Sequence, residues 1–194
     1  SFRSMALLLA GLLGPAGAAQ GPAKTLRAIR HRGPLVLDGR LDEAAWRTAP
    51  TATGFIQQWP KFGRPATLPT EVRVLYDDHH LYVGARMLHP RNLSPGGGDV
   101  RRRLHRRDQD SPGDWFVVYL DSLRSGSTGA GFWVSAGGVQ RDAALSADTT
   151  VDHAWDAVWD SAVSIDADGW TAELRIPFSL LRIPHGGPQD WGIN

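Results

Sequence analysis

Two tryptophans in polar company are the residues best placed to hold a ligand. Trp59 lies in Gln57-Gln58-Trp59-Pro60-Lys61, a polar stretch interrupted by proline, where a ring is not expected in a core. A flat indole outside a core offers a stacking surface, for instance to the apolar face of a pyranose. Trp155 follows the polar run 148–153 and is the candidate second ring. Gln58, Glu71, Gln140 and Arg107 are the candidate hydrogen-bonding partners for ligand hydroxyls. The bland alternative is a pair of loop tryptophans that cover the edge of the fold. Trp46, Trp115, Trp170 and Trp191 sit in periodic segments and are expected in the core.

Other clusters invite chemistry and mostly decline it. Residues 101–107 (RRRLHRR) carry five arginines, yet no aromatic residues interleave and the net charge is only +1. That excludes a global drive toward nucleic acid and favours a solvated loop. One or two of these arginines could bind a sugar or pair with Asp108, Asp110 or Asp114. Asp77-Asp78-His79-His80 reads better as a hairpin turn than as a metal site, because Asp and His suit tight turns. There is no Gly-x-Ser-x-Gly elbow, no His-Glu-x-x-His, no phosphate loop and no cysteine nucleophile. Glu71 and Glu173 are outward strand residues that would have to meet across a cleft to act as a glycosidase pair. The expectation is therefore a non-enzymatic chain without a catalytic residue.

The elements that must position these residues are strands. Val72, Val74 and Tyr76 alternate with Glu71 and Arg73, and Leu81, Val83, Ala85 and Met87 form a second apolar face beyond a turn. Residues 115–120 (WFVVYL) are apolar on both faces, as a central strand would be. Residues 131–135 and 139–145 flank Gly137-Gly138 in a second hairpin. Residues 158–165 and 170–176 form a third, with Trp170, Ala172, Leu174 and Ile176 facing in. Helical signals are limited to a short turn at Ala44-Ala45-Trp46, capped by Asp42, and another at 177–182. Residues 91–113 lack periodicity and read as a long loop. With 22 Gly and 13 Pro punctuating short elements, the pattern predicts an all-β antiparallel β-sandwich over residues 34–194.

The N-terminal residues read differently. Arg3, the apolar run 5–13 and the small residues 16–19 predict a signal peptide over 1–19, cut after Ala18 or Ala19 and packing on nothing. Nine apolar residues are too few to cross a bilayer, which takes about 20. Residues 20–33 read as a basic, extended linker.

Several motifs together resemble carbohydrate-binding module family 9. These are Leu37-Asp38-Gly39-Arg40-Leu41-Asp42-Glu43-Ala44-Ala45-Trp46, Thr70-Glu71-Val72-Arg73-Val74-Leu75-Tyr76-Asp77-Asp78 and Asp114-Trp115-Phe116-Val117-Val118-Tyr119-Leu120-Asp121. Gly138-Val139-Gln140-Arg141-Asp142, Trp155-Asp156-Ala157-Val158-Trp159, Gly169-Trp170-Thr171-Ala172-Glu173 and Trp191-Gly192-Ile193-Asn194 follow in similar order and spacing. The resemblance implies a β-sandwich that binds a poly- or oligosaccharide between aromatic rings, often with calcium, for which Asp38, Asp42, Asp142, Asp148 and Asp152 could supply oxygens. It most resembles a bacterial variant that precedes a C-terminal region similar to an outer-membrane β-barrel. That implies an exported, periplasmic or outer-membrane-associated protein of a Gram-negative bacterium, touching the membrane only through a C-terminal region. The full-length protein would by the same association accompany glycoside hydrolysis. A ligand-free docking domain for the barrel is the alternative. Ser135, where such modules often carry Asn, and the weakly charged Arg124-Ser125-Gly126-Ser127-Thr128 depart from the pattern.

Overall fold

The computed structural model describes residues 24–89, 99–147, 150–184 and 186–194, together with the backbone of Met5–Leu9. In chain order the strands are β1 (Met5–Leu9), β2 (Lys24–Arg30), β3 (Thr70–Tyr76), β4 (His80–Leu88), β5 (Trp115–Asp121), β6 (Thr128–Ser135), β7 (Gln140–Ser146), β8 (Thr150–Asp152), β9 (Asp160–Asp166), β10 (Gly169–Pro177) and β11 (Gln189–Ile193). Hydrogen bonding orders them β8-β7-β6-β5-β11-β1-β2-β3-β4-β10-β9. The ladder forms the two layers of a β-sandwich, as the period-two pattern predicts. The pairings are antiparallel except β1 with β11 and β2 with β3, so the sheets are mixed.

The core forms where the alternation points inward. Val72, Val74, Tyr76, Leu81, Val83 and Ala85 come from one layer with Trp170, Ala172, Leu174 and Ile176; Val118, Leu120, Phe132, Val134, Trp191 and Ile193 come from the other. The predicted hairpins β3–β4, β6–β7 and β9–β10 all form. The Asp77 turn is closed by its own carboxylate, whose Oδ1 accepts from the amides of His79 (2.6 Å) and His80 (2.7 Å). Helix is confined to α1 (Ala44–Thr48) and a 3-10 turn at Phe178–Leu180. The N-cap of α1 is Glu43 rather than Asp42, and no side chain caps it. No helix among the described residues is long and apolar enough to cross a membrane.

Two expectations near the N-terminus need correction. Half of the stretch read as a linker is β2, a strand of the sandwich, with Leu26 and Ala28 buried on either side of Arg27. The backbone of Met5–Leu9 is not free of the fold but pairs with β2 and β11. The cleavage positions at Ala18 and Ala19 lie outside the described residues. Trp46, Trp170 and Trp191 are buried as expected, whereas Trp115 is half-buried. It sits with Tyr119 on the outer face of β5, because the inward positions belong to Phe116, Val118 and Leu120.

A second, smaller cluster covers the outer face of the β3–β4 layer. Trp46 of α1 packs with Leu75, Tyr82 and Leu41. The chain reaches it through Gly39, which takes φ +83° and approaches so closely that a Cβ would stand 2.5 Å from the Val163 carbonyl carbon. Only glycine fits both demands.

Candidate ligand site

The loop between α1 and β3 presents Trp59. Its base is fixed: Ala52 bridges to Val72, Ile56 bridges to Pro65, and the Gln57 amide donates to the Arg64 carbonyl (2.7 Å). The Gln57 side chain donates to the Pro65 carbonyl (2.8 Å), and Lys24 Nζ donates to the Gly54 carbonyl (2.7 Å). Phe55 packs on the core. The tip is closed by the Gly63 amide donating to the Gln57 carbonyl (3.0 Å) and the Arg64 amide donating to the Lys61 carbonyl (3.1 Å), and it leaves Gln58 and Trp59 in solvent, Trp59 with 85% of its surface exposed. Phe62, on the same tip, is 55% exposed. It went unread in the sequence, although a lone aromatic between Lys61 and Gly63 carries the same signal as Trp59.

The second group is built around β7. Asp142 faces inward, is fully buried, and would be an isolated charge without partners. Arg107 Nη2 pairs with its Oδ2, Trp159 Nε1 donates to the same oxygen (3.1 Å), and the Ala157 amide donates to Oδ1 (2.8 Å). Arg107 also donates to Gln140 Oε1 (2.6 Å) and to the Ala157 carbonyl (2.7 Å). Gln140 in turn donates to Ser161 Oγ (2.9 Å). The structure therefore brings Arg107, Gln140 and the 155–159 segment together. Arg107 acts there as a strut between chain segments, with its donors directed at protein acceptors. Trp155 is half-buried, its ring meeting Phe132 edge-on at 5.9 Å, so it is shared between core and surface.

Trp59 makes no aromatic contact with Trp155 among the described residues. Glu71 is half-buried and accepts from Arg73 (3.1 Å). Glu173 points outward on β10, as its position in the strand requires, but the loop before α1 closes over it completely. Its Oε2 accepts from the amides of Asp38 (3.1 Å) and Gly39 (2.7 Å), and its Oε1 from Trp46 Nε1 (3.0 Å). Burial pushes its carboxyl up to about 7, against the three donors and with a further push from Glu43. It is a clamp for that loop. Its recorded partners do not include Glu71.

The acids considered for calcium are dispersed in their contacts. Asp38 Oδ1 accepts from the Arg40 amide, Asp152 Oδ1 from the Ala154 amide, and Asp142 belongs to the Arg107 network. Asp148 lies outside the described residues. No group of three His, Cys, Asp or Glu residues among the described residues gathers to hold a metal ion.

An outer-face aromatic strip was not legible as a unit. Tyr119 and Trp133 meet edge-to-face at 5.2 Å, and the Arg141 guanidinium lies 5.7 Å from the Trp133 ring centroid. Arg141 also pairs with Asp110. Pairing across β6 and β7 puts Trp133 opposite Arg141, a register that follows from the hairpin once its turn is placed. Ser135, the departure noted above, is buried and its hydroxyl accepts from the Val139 amide (3.1 Å), holding the β6–β7 turn.

The β-sandwich fold is also found among solved structures. The chain is similar to a carbohydrate-binding module of family 9 from Caldicellulosiruptor kristjanssonii in complex with cellotriose, with a TM-score of 0.57 and 18% identity over 86% of this chain and 72% of that one. A family 9 module from the same organism in complex with glucose gives a TM-score of 0.56 and 17% identity over 86% and 74%. At this identity the likeness establishes the shared fold. No family model matches the chain. No curated protein matches it either.

Proposed function

We propose that this chain is a non-catalytic carbohydrate-binding module of a larger exported or outer-membrane protein, in which Trp59 stacks on a sugar ring. The observation that carries the reading is the indole of Trp59, held in solvent on a loop whose base is anchored. An exposed indole is costly to keep without a use, since apolar area left in water forfeits about 25 cal/mol per Å². The sugar-bound modules that share the fold support the choice of ligand class. Gln58 lies beside the ring to meet hydroxyls, with Glu71, Gln140 and Trp155 as further contacts. The apolar run 5–13 supports export to the periplasm or outer membrane of a Gram-negative bacterium.

Calorimetry with cellotriose and glucose tests this. Stacking is worth about 1–3 kcal/mol per ring, by analogy with bases on aromatic side chains. Trp59→Ala should therefore weaken binding roughly tenfold or more, since each 1.4 kcal/mol is about tenfold. The thermal midpoint should be unchanged, because the ring buries little. Equal affinity of wild type and variant would refute the stacking role.

A further inference from the structure

The loop 101–107 holds five arginines, of which only Arg107 makes an ion pair among the described residues. Asp114 Oδ2 accepts from the Arg101 amide, Asp110 pairs with Arg141, and Asp108 lies against Arg107, whose guanidinium is also bound to Asp142. The acids of this segment are thus engaged elsewhere, apart from Asp99, which lines a depression with Arg102, His89 and Asp166. Asp166 itself pairs with Arg86. The side chains of Arg101, Arg102, Arg103 and Arg106 are exposed and make no ion pair among the described residues.

The backbone that carries them is held in place. Asp114 N donates to the Arg101 carbonyl (3.0 Å), and Asp108 N donates to the Gln140 carbonyl (3.2 Å). Gly137 of the β6–β7 turn lets the loop lie close, since a Cβ there would stand 2.7 Å from the Arg103 carbonyl oxygen. Arg107 then links the end of the run to Gln140 and Ala157, two residues from Trp155. Four guanidinium groups without an ion pair among the described residues therefore lie on a loop that Arg107 ties to the Gln140 and Ala157 network. A guanidinium presents a planar fork of donors that matches a carboxylate or sulfate in two parallel hydrogen bonds.

We propose that the module prefers an acidic glycan, one bearing carboxylate or sulfate groups, and that Arg101, Arg102, Arg103 and Arg106 form the subsite for those groups. The inference rests on the sugar-binding reading above. Nucleic acid is disfavoured because the one ring inside the run, His105, is packed against Trp115 (5.4 Å), and the chain as a whole carries only +1. The exposed Leu104 at 87% sits inside the run and gives the subsite an apolar element beside the charges.

The test uses the whole chain and four probes: cellotriose, an oligogalacturonate of similar length, a single-stranded DNA oligomer, and vesicles of anionic phospholipid. Binding is measured at about 0.02 M and about 0.3 M salt, because exposed charges are screened over a Debye length that shrinks with ionic strength. The oligogalacturonate should bind about tenfold tighter than cellotriose at low salt, a difference of about 1.4 kcal/mol. That advantage should shrink at high salt. Replacing the four arginines together (R101Q, R102Q, R103Q, R106Q) should abolish the advantage and leave cellotriose binding within about twofold. These side chains are solvent-exposed, so the variant should fold, and circular dichroism checks that it does. Equal binding of the two oligosaccharides by wild type, or an advantage that survives the four substitutions, overturns the proposal. So does DNA or vesicle binding as tight as the oligogalacturonate. Cellotriose binding with no acidic preference sinks the subsite alone, whereas the absence of any binding sinks the sugar-binding reading with it.

Discussion

Glu173 should make this protein less stable as the pH rises from acid to neutral. Its carboxyl is fully buried and pushed from an ordinary 4.5 up to about 7. Between those values the folded chain holds a proton that the unfolded chain has released. Stability rises with pH only where the unfolded state binds more protons, and here it binds fewer. The contribution of this group is therefore complete below about pH 4.5 and is lost as pH climbs through about 7. The gap between the two values corresponds to about 3 kcal/mol at about 1.4 kcal/mol per pH unit, an upper figure for one carboxyl. Urea unfolding at pH 4.5, 6 and 8 measures it. The informative quantity is the difference between wild type and Glu173→Gln, in which every contribution common to the two chains cancels. The amide cannot ionise, and its carbonyl can keep the Asp38 and Gly39 donors while its NH2 faces Trp46 Nε1. The Trp46 Nε1–H and the amide NH2 are then two donors facing each other without an acceptor, at a cost of about 1–3 kcal/mol each that does not vary with pH. The variant should thus be less stable than wild type at pH 4.5 and narrow the gap by pH 8. A constant difference across the three pH values would refute the assignment of the titration to Glu173.

Two further substitutions probe the scaffold. Arg107→Ala leaves Asp142 buried without its cation and should cost about 3–5 kcal/mol, read as a lower urea midpoint; a loss under about 1 kcal/mol would mean that the Ala157 and Trp159 donors suffice. Trp170→Ala removes a ring from the centre of the sandwich and should cost about 3–5 kcal/mol, while any folded fraction should retain the affinity of wild type for cellotriose.

What the sequence disclosed follows from how local its determinants are. The hairpins β3–β4, β6–β7 and β9–β10 were legible because each joins neighbouring runs whose alternation and turn residues agree. β2 was not, because its apolar face amounts to Leu26, Ala28 and little else among basic residues, and its partner β3 lies some 40 residues further along. The two buried carboxylates were missed for a related reason. Glu173 alternates as an outward residue and is buried only because a loop more than 120 residues earlier folds over it. Asp142 was weighed as a calcium ligand, yet its charge is met by Arg107, 35 residues earlier in the chain. Trp59 was legible as an exposed ring because its immediate neighbours are polar, and exposure in a loop is a local property.

The anchoring of the Trp59 loop should matter to affinity as much as a direct contact would. Fixing one residue's backbone costs about 1–2 kcal/mol, and stacking one ring returns only about 1–3 kcal/mol. A loop tip that had to order itself on binding would lose most of what the ring contributes. The ties at its base meet part of that cost during folding, when the Gln57 amide and side chain bond to Arg64 and Pro65. Affinity is then scaled by the fraction of molecules whose loop is already in the binding arrangement. Gln57→Ala removes the side-chain bond to Pro65 (2.8 Å) and a long one to Thr67 (3.4 Å) without touching the ring. One such bond is worth about 0.5–1.5 kcal/mol, so cellotriose binding should weaken about two- to tenfold. The loss should appear as a less favourable binding entropy, with Trp59 still contributing its full share when Trp59→Ala is added. If Gln57→Ala binds as wild type does, the backbone bonds alone order the loop and the side chain of Gln57 plays no part in presenting the ring.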